Sequence, residues 1–311
     1  MLIVNSLQNF PCLKRMDLSN SKYLVETPDF SKARNLERLD LSGCTDLIFV
    51  HPSMGRLKKL VFLSFRNCNN LISIKIGRGG FYLSLRVLHF SGCTKLENTP
   101  DLTWTRNLEY LDFDGCTSLS SVHESIGALA KLTFLSFRDC KNLVSIPKIN
   151  AMTSLQTLDL WGCLKLTDLP LRPTFRTLSI SHLESLVFLD MGFCNIVEIP
   201  EAIRSLKCLE RLNLQGNNIV SIPCFSHFGL NRLAYLNVSH CHKLEAFLYS
   251  VSLQRASSGG RYFETVSGSR DHRSGLYAFD CPKLATVLLD FKCAAFPIRN
   301  LALGWLVRLI E

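Results

Sequence analysis

Apolar residues recur along this chain in one fixed pattern. The clearest copy opens at Leu36 and carries leucine at its first, fourth, sixth and twelfth positions, with Cys44 at its ninth. The same frame opens ten times, at Leu13, Leu36, Leu60, Leu85, Leu108, Leu132, Leu155, Leu186, Leu209 and Leu233. One such unit cannot bury its own apolar side, so the pattern predicts a stack of units that share one continuous core.

The spacing of the frames decides the fold class. Successive starts lie 23 to 25 residues apart, except for one interval of 31 between Leu155 and Leu186. This is the template of a leucine-rich repeat, in which each unit supplies one short strand and a turn. We therefore predict an α/β solenoid, a horseshoe with a parallel β-sheet on its concave face and short helical or irregular segments on its convex side. The convex segments hold prolines, such as Pro52 and Pro200, which a central strand excludes.

The period divides the chain into four expected parts. Residues 1–12 are interpreted as the remnant of a preceding repeat, and residues 13–247 as the solenoid, with ten clear repeats and a degenerate one near 175–185. Residues 248–275 are rich in Ser, Gly and Arg and predict a flexible linker. Residues 276–311 alternate weakly and predict a truncated β-rich module, so we expect the chain to be a fragment of a larger protein.

A longer period lies inside the solenoid. The frames at Leu13, Leu36 and Leu60 return 72 residues later at Leu85, Leu108 and Leu132. The amino-acid sequence repeats as well, because Phe62-Leu-Ser-Phe-Arg-Asn-Cys68 is nearly identical to Phe134-Leu-Ser-Phe-Arg-Asp-Cys140. We predict that two blocks of three repeats present equivalent surfaces.

Composition narrows the compartment and the partner class. The formal charge is +9, but Lys and Arg are scattered, which favours a solvated surface over nucleic-acid binding. Most cysteines occupy position nine, where the chain turns inside the stack, so we expect a buried row, or spine, of reduced thiols. Reduced thiols indicate an intracellular protein, and we expect it in the cytoplasm or the nucleus. No apolar window of about 20 residues and no leader sequence is found, so we expect no membrane partner.

Candidate binding residues follow from strand alternation. Leucines at positions four and six point into the core, so positions three, five and seven point outward onto the concave face. Aromatic side chains and arginines at such a face are typical of protein-binding surfaces, although the same pattern also fits cross-strand packing that only stiffens the sheet. The predicted protein-binding residues are Phe62, Arg66, Tyr110, Asp112, Phe134, Arg138, Trp161, Phe188, Arg211 and Tyr235.

Enzymatic patterns are missing from the sequence. We find no phosphate-binding loop, no His-Glu-x2-His and no Cys-x2-Cys. The triplet His240-Cys241-His242 resembles a metal ligand set, but Cys241 is the position-nine residue and is expected to turn inward. We therefore predict a chain that is not an enzyme and that has no cofactor and no metal.

Several short sequence segments resemble those of a known protein family. Leu13-Lys-Arg-Met-Asp-Leu-Ser19, Glu26-Thr-Pro-Asp-Phe-Ser31, Asn35-Leu-Glu-Arg-Leu-Asp-Leu-Ser-Gly-Cys44 and Val50-His-Pro-Ser53 resemble the repeat region of plant intracellular immune receptors. Those receptors are the nucleotide-binding leucine-rich-repeat disease-resistance proteins with an N-terminal TIR domain. Phe279-Asp-Cys-Pro-Lys-Leu284 resembles the opening of the β-rich module that follows the repeats in that family.

The resemblance implies a role in defence signalling. The partners it implies are a pathogen effector or host protein, which the repeats recognise, and the nucleotide-binding domain of the full-length receptor, which they restrain. The alternative is the substrate-binding arm of a ubiquitin ligase or another scaffold protein, which uses similar repeats and needs an F-box-like helical segment before them. A secreted receptor ectodomain is a third possibility, and it would need a signal peptide and paired capping cysteines.

Overall fold

The computed structural model describes residues 12–74, 82–149, 151–166, 183–199, 201–222, 230–249, 275–284 and 286–289. In these ranges most strands are three residues long. They are β1 Arg15–Asp17, β2 Arg38–Asp40, β3 Phe62–Ser64, β4 Val87–His89, β5 Tyr110–Asp112, β6 Phe134–Ser136, β7 Thr157–Asp159, β8 Phe188–Asp190, β9 Arg211–Asn213, β10 Ser221–Ile222, β11 Tyr235–Asn237, β12 Ala246–Tyr249, β13 Gly275–Tyr277 and β14 Thr286–Leu289.

One parallel sheet joins the repeats in chain order. Its eleven strands run β1 to β9, then β11 and β13, and each of the ten predicted repeat frames contributes one of them. The register is the same at every junction, so that position three faces position three, as in Phe62 opposite Val87 and Phe134 opposite Thr157. A second sheet of β10, β12 and β14 lies away from the repeat strands. The predicted leucine-rich-repeat solenoid is confirmed.

The core lies behind the main sheet. Position-four leucines such as Leu39 and Leu111 are fully buried, as the alternation predicts. Four successive repeats carry phenylalanine at position six in place of leucine, namely Phe65, Phe90, Phe113 and Phe137. Their rings stack nearly parallel with centroids 5.5, 5.1 and 5.4 Å apart, so the middle of the solenoid has an aromatic column inside it.

The position-nine cysteines form the predicted spine. Each buried thiol donates to a backbone carbonyl of the preceding repeat, as Cys44 Sγ does to Leu18 O at 3.2 Å and Cys140 Sγ to Phe113 O at 3.2 Å. All cysteines in the described ranges are free, and burial raises the pKa of Cys194 to about 12. Asn217 replaces cysteine in one repeat and reaches the same kind of carbonyl, Met191 O, at 2.8 Å. The spine is therefore structural.

The turn after each strand depends on position eight. Every described position-eight residue has a positive φ, a region that favours Gly, Asn and Asp. They are Asn20, Gly43, Asn67, Gly92, Gly115, Asp139, Gly162, Phe193, Gly216, His240 and Asp280. Phe193, at φ 53°, is the residue least suited to this conformation.

The convex side carries short 3-10 helices, Pro52–Arg56, Glu124–Ala128 and Glu201–Ser205. The first two lie 72 residues apart and have the same cap. His51 Nδ1 lies 2.7 Å from Ser53 Oγ, and His123 Nδ1 lies 2.9 Å from Ser125 Oγ. The duplicated block predicted from the sequence therefore repeats in detail at these caps.

The structure differs from the expected boundary near residue 247. Strand β13 pairs with β11 in the common register, and Cys281 Sγ donates to Val238 O at 3.2 Å like any position-nine thiol. Residues 276–284, which the sequence assigned to a separate module, and Gly275, assigned to the linker, thus extend the repeat sheet. The period was hidden because equivalent residues such as His240 and Asp280 are 40 apart instead of 23 to 25.

Other expected parts lie mostly outside the described residues. These are the preceding-repeat remnant except Cys12, the degenerate repeat except residues 183–185, and the module after Leu289. The expected linker at 248–275 is also outside, apart from its ends, because Leu248 and Tyr249 belong to β12 and Gly275 to β13.

Candidate functional site

The predicted binding residues lie on the strand face opposite the core. Phe62, Tyr110 and Phe188 are partly exposed, whereas the leucine that follows each of them in its strand is buried. Positions three, five and seven thus share the concave face, as the alternation of side chains requires.

The first half of this face carries a row of rings. Phe62 and His89 have centroids 5.6 Å apart, and His89 and Tyr110 have centroids 4.9 Å apart. Tyr110 then stacks on Phe134 at 4.3 Å with the rings parallel. Val87 occupies position three of β4 and interrupts the row of aromatic side chains at that position. His89, at position five, fills that interruption.

Two candidate residues are more buried than expected. Phe134 is 7% exposed and Asp112 is 5% exposed, although the sequence placed both on a face that meets water. Crowding within the face explains the difference. Tyr110 covers one side of the Phe134 ring, and Arg66 Nη2 and His89 Nδ1 lie 3.7 and 3.6 Å from Asp112 Oδ2. A partner can therefore touch Phe62, Tyr110 and Phe188 more readily than these two residues.

The second half of the face mixes aromatic rings with an arginine. Thr157 separates Phe134 from Phe188 along the strands. The Arg211 guanidinium carbon then lies 5.6 Å from the Phe188 ring and 4.8 Å from the Tyr235 ring. Tyr235 meets Tyr277 at 5.0 Å. Tyr277 was not among the predicted residues, because its repeat could not be seen in the spacing.

The N-terminal end of the face is balanced by its own charges. The Arg38 guanidinium lies 3.4 Å from the Phe62 ring centre, and Arg38 Nη2 lies 3.3 Å from Asp40 Oδ2. This ion pair places a positive charge at β2, where Asp40 lies opposite Asp17 of β1.

The centre of the face holds more carboxylates than cations. Arg138 Nη1 lies 3.4 Å from Asp159 Oδ2 and 4.0 Å from Asp190 Oδ2, and its guanidinium covers Trp161 at 4.3 Å. Arg66 Nη2 lies 3.7 Å from Asp112 Oδ2. These contacts bring together predicted residues from different repeats, namely Arg66 with Asp112 and Arg138 with Trp161, and Phe134 lies on the same strand β6 that leads to Arg138.

Burial makes the central carboxylates hard to ionise. The pKa of Asp159 is raised, first by desolvation and then by Asp190, and the pKa of Asp190 is raised by desolvation. Asp114, at position seven of the β5 repeat, has its pKa raised to about 6 by burial and then by Asp112. The carboxyl groups at the middle of the face therefore keep their protons to a higher pH than exposed aspartates do.

A second constellation on the convex side superficially resembles a catalytic triad. Asp29 Oδ1 and Ser53 Oγ lie 3.8 and 2.7 Å from the same His51 nitrogen, Nδ1, so the histidine cannot relay a proton between them. Ser53 Oγ also accepts from Phe30 N at 2.7 Å and is buried. These residues hold the 3-10 helix against the preceding repeat.

The described part of the chain was also searched for metal sites and membrane-spanning helices. No cluster of three metal-ligating side chains is found there, and both His240 and His242 turn toward Asp280. Across the same residues, no helix has the length and apolar character needed to cross a bilayer.

Comparison with known proteins adds family information. The sequence model of the family Leucine Rich Repeat matches residues 208–228. TMV resistance protein N of Nicotiana glutinosa is 28% identical over 293 residues, which cover 76% of this chain and 24% of that protein. Disease resistance protein RPP4 of Arabidopsis thaliana is 31% identical over 226 residues, or 72% of this chain and 17% of that protein.

A further relative and one solved structure are also similar to this chain. Disease resistance protein RPS6 of Arabidopsis thaliana is 30% identical over 236 residues, with 76% of this chain and 17% of that protein covered. The chain thus spans a quarter or less of the length of these relatives. A crystal structure of an internalin from Listeria monocytogenes is 15% identical and covers 71% of each chain with a TM-score of 0.37.

Proposed function

Because this chain belongs to the leucine-rich-repeat regions of plant disease-resistance proteins, we propose that it is the recognition module of an intracellular plant immune receptor. The membership confirms the resemblance found in the sequence. The receptor we propose is of the TIR-type nucleotide-binding class, and this chain is its non-catalytic repeat part.

The observation that carries the proposal is the side-chain content of the concave face. Rings and arginines run from Arg38 on β2 to Tyr277 on β13, on the face that the core does not use. Tyr, Trp and Arg dominate the energy of protein–protein interfaces because they combine large contact area with a polar or charged group. A protein ligand is the partner class that such a surface fits best.

The partner we propose is a pathogen effector or a host protein on which the effector acts. In the resting receptor, the same module restrains the nucleotide-binding domain, and binding of the effector releases it. The cytoplasm is the proposed compartment, and the nucleus is a second one. The reduced, buried thiols support an intracellular site, because an oxidising compartment favours disulfides.

The test uses the full-length receptor and the effector to which it responds. Phe62, Tyr110 and Phe188 are each changed to Ala, and effector affinity is measured by biolayer interferometry. We expect at least one variant to lose about 2 kcal/mol, roughly a 30-fold loss of affinity, as hot-spot residues do. Matched controls are Tyr23→Ala and Phe49→Ala, which remove rings that are 92% and 60% exposed outside the concave positions.

Unchanged effector binding by the concave-face variants would reject the proposal. If all three concave variants keep their circular dichroism spectra and melting temperatures and still bind the effector as the unmodified receptor does, the concave face is not the recognition surface. Loss of affinity in the two control variants alone would place recognition on another side of the solenoid.

A further inference from the structure

The repeats that contain β1, β2 and β3 leave apolar side chains open on one flank of the solenoid. This flank follows the cysteine turn, where short parallel bridges such as Glu26 opposite Phe49 join neighbouring repeats. Val25 O accepts from Ile48 N at 2.9 Å and from Phe49 N at 3.1 Å, so these residues adjoin across two repeats. Ile72 holds the position of Ile48 in the third repeat. The apolar flank consists of Tyr23, Val25, Ile48, Phe49 and Ile72.

The apolar flank exposes enough surface to support association with another molecule. Tyr23 is 92% exposed and Phe49 is 60% exposed, while Val25 and Ile72 are 48% and 45% exposed. With about 200 Å² for each aromatic side chain, the two rings alone leave roughly 300 Å² open to solvent. Apolar patches of this size on a single chain are often functional.

The duplicated block shows that the fold does not require these apolar residues. The bridge of Asn98 opposite Ser121 and the bond from Ser120 N to Glu97 O at 3.0 Å reproduce the backbone of the flank 72 residues along the chain. The five equivalent residues there are Lys95, Glu97, Ser120, Ser121 and Val144. All but the last are polar, so the same backbone accepts polar side chains and folding does not explain the exposed apolar ones.

Charges at the two ends of the flank match those of a second copy of this chain. Lys22 and Glu26 are exposed on either side of Tyr23 and Val25, and neither side chain bonds to another described residue. A two-fold axis parallel to the stack of repeats reverses the chain direction and keeps each repeat beside its own copy. Such an axis places apolar flank on apolar flank, with Lys22 of each copy beside Glu26 of the other.

We propose that the apolar flank is a self-association surface, through which two copies of this chain form a two-fold symmetric dimer. The inference goes beyond the proposed function, because it uses a surface outside the concave face and does not depend on effector recognition. Two such flanks bury less than about 1,200 Å², which is the lower limit of standard protein interfaces. The dimer is therefore weak and reversible.

Sedimentation velocity of the 311-residue chain tests the proposal. The buffer contains a reductant, so that the exposed Cys12 cannot link two copies. Between about 2 and 200 μM, a range that brackets the affinity of so small an interface, the weight-average sedimentation coefficient should rise toward that of a dimer.

The main variant combines Val25→Glu with Phe49→Ser, which are the residues that the second block carries at these positions. It should keep the circular dichroism spectrum of the unmodified chain and associate at least about tenfold more weakly, because the contact would bury an unpaired charge. Ile72→Ser should also weaken the dimer. Val144→Ser is its matched control, since Val144 is 44% exposed at the equivalent position outside the flank, and it should leave association unchanged.

Charge reversal tests the two-fold arrangement. Either Lys22→Glu or Glu26→Lys alone sets like charges opposite each other on both sides of the axis, and each should weaken the dimer by about tenfold at low ionic strength. The combined variant restores opposite charges and should recover the affinity of the unmodified chain.

Three results would overturn the inference. The first is a chain that remains monomeric up to about 200 μM, where even a small interface associates. The second is a dimer that survives the Val25→Glu and Phe49→Ser changes, since its contact lies elsewhere, as on the outer edge of β1. The third is failure of the combined charge variant to recover affinity. If the chain is monomeric and the flank variants weaken binding of another protein instead, the flank serves that protein and self-association is rejected.

The effector assay keeps this inference separate from the proposed function. If Phe62→Ala and Phe188→Ala weaken effector binding but the chain is monomeric, recognition on the concave face stands and the dimer is rejected. If the chain dimerises through the flank but the concave variants keep full effector affinity, the dimer stands and the proposed recognition function is rejected.

Discussion

Shortening Phe113 to Leu tests the aromatic column in the core. Phe113 is fully buried between Phe90 and Phe137, with centroids 5.1 and 5.4 Å away and rings within 4° of parallel. Leucine occupies the same position in other repeats, as Leu41 does, so the fold accepts it. The variant loses two ring contacts, each worth about 0.5–1.5 kcal/mol beyond its buried area, and leaves unfilled volume. We expect the free energy of unfolding to fall by about 2–4 kcal/mol.

The matched variant is Phe137→Leu, which has Phe113 on one side and Leu160 on the other. Because it loses one ring contact instead of two, its cost should be smaller by about 1 kcal/mol. Both are measured by urea unfolding of the whole chain, followed by tryptophan fluorescence. The double variant should cost less than the sum of the two, since both single changes remove the same contact. Equal costs, or exact additivity, would refute the claim that stacking stabilises this column.

Three further predictions concern the spine, a cap and the central charges. Cys140→Ala should lower the free energy of unfolding by about 1–2 kcal/mol in the same urea assay, because it removes a buried sulfur and its bond to Phe113 O. Ser53→Ala should cost about 1–3 kcal/mol, since Phe30 N loses its acceptor, and amide hydrogen exchange at Phe30 should accelerate. Because Asp159 has a raised pKa in the folded state, the native protein binds more protons than the unfolded chain, so this group destabilises the fold progressively as pH rises above 3.8. Asp159→Asn should therefore be more favourable for stability at pH 8 than at pH 5 by urea unfolding, and an unchanged difference would contradict the raised pKa.

Periodicity was sufficient to predict the scaffold. Each strand of the main sheet from β1 to β9, and β11, falls at positions three to five of a predicted frame, because the leucine spacing sets both the strand and its register. The buried cysteines at position nine followed from the same spacing. The strand β13 was missed, since its separation from the preceding repeat conceals the period.

The sequence predicted which face of the sheet the candidate residues occupy, but not how deeply each one is buried or which side chains it contacts. Alternation placed Phe134 and Asp112 on the correct face, yet it could not show that neighbouring rings bury them. The partnership of His89 with Phe62 and Tyr110 depends on side-chain rotamers and on contacts across strands, which a one-dimensional pattern does not contain. The signal that could have indicated it is a histidine at position five of the repeat whose position three, Val87, has no ring.

The ring of Phe193 was also missed. It occupies the turn at position eight, where the backbone favours glycine, and it packs edge-on against Trp161 at 5.2 Å. A bulky residue at a position that ten other repeats mostly give to Gly, Asn or Asp is a departure visible in the sequence. It extends the concave face around Trp161 beyond the three columns that alternation defines.

The most direct test of the account is to find which side of the solenoid touches the effector. The photo-crosslinking residue p-benzoylphenylalanine is placed at Phe62, at Phe188 or, as the control, at Phe49 in the full-length receptor, and each is irradiated with the purified effector. We predict covalent receptor–effector adducts from the positions of Phe62 and Phe188 and none from that of Phe49. Adducts from the Phe49 position alone would contradict recognition by the concave face.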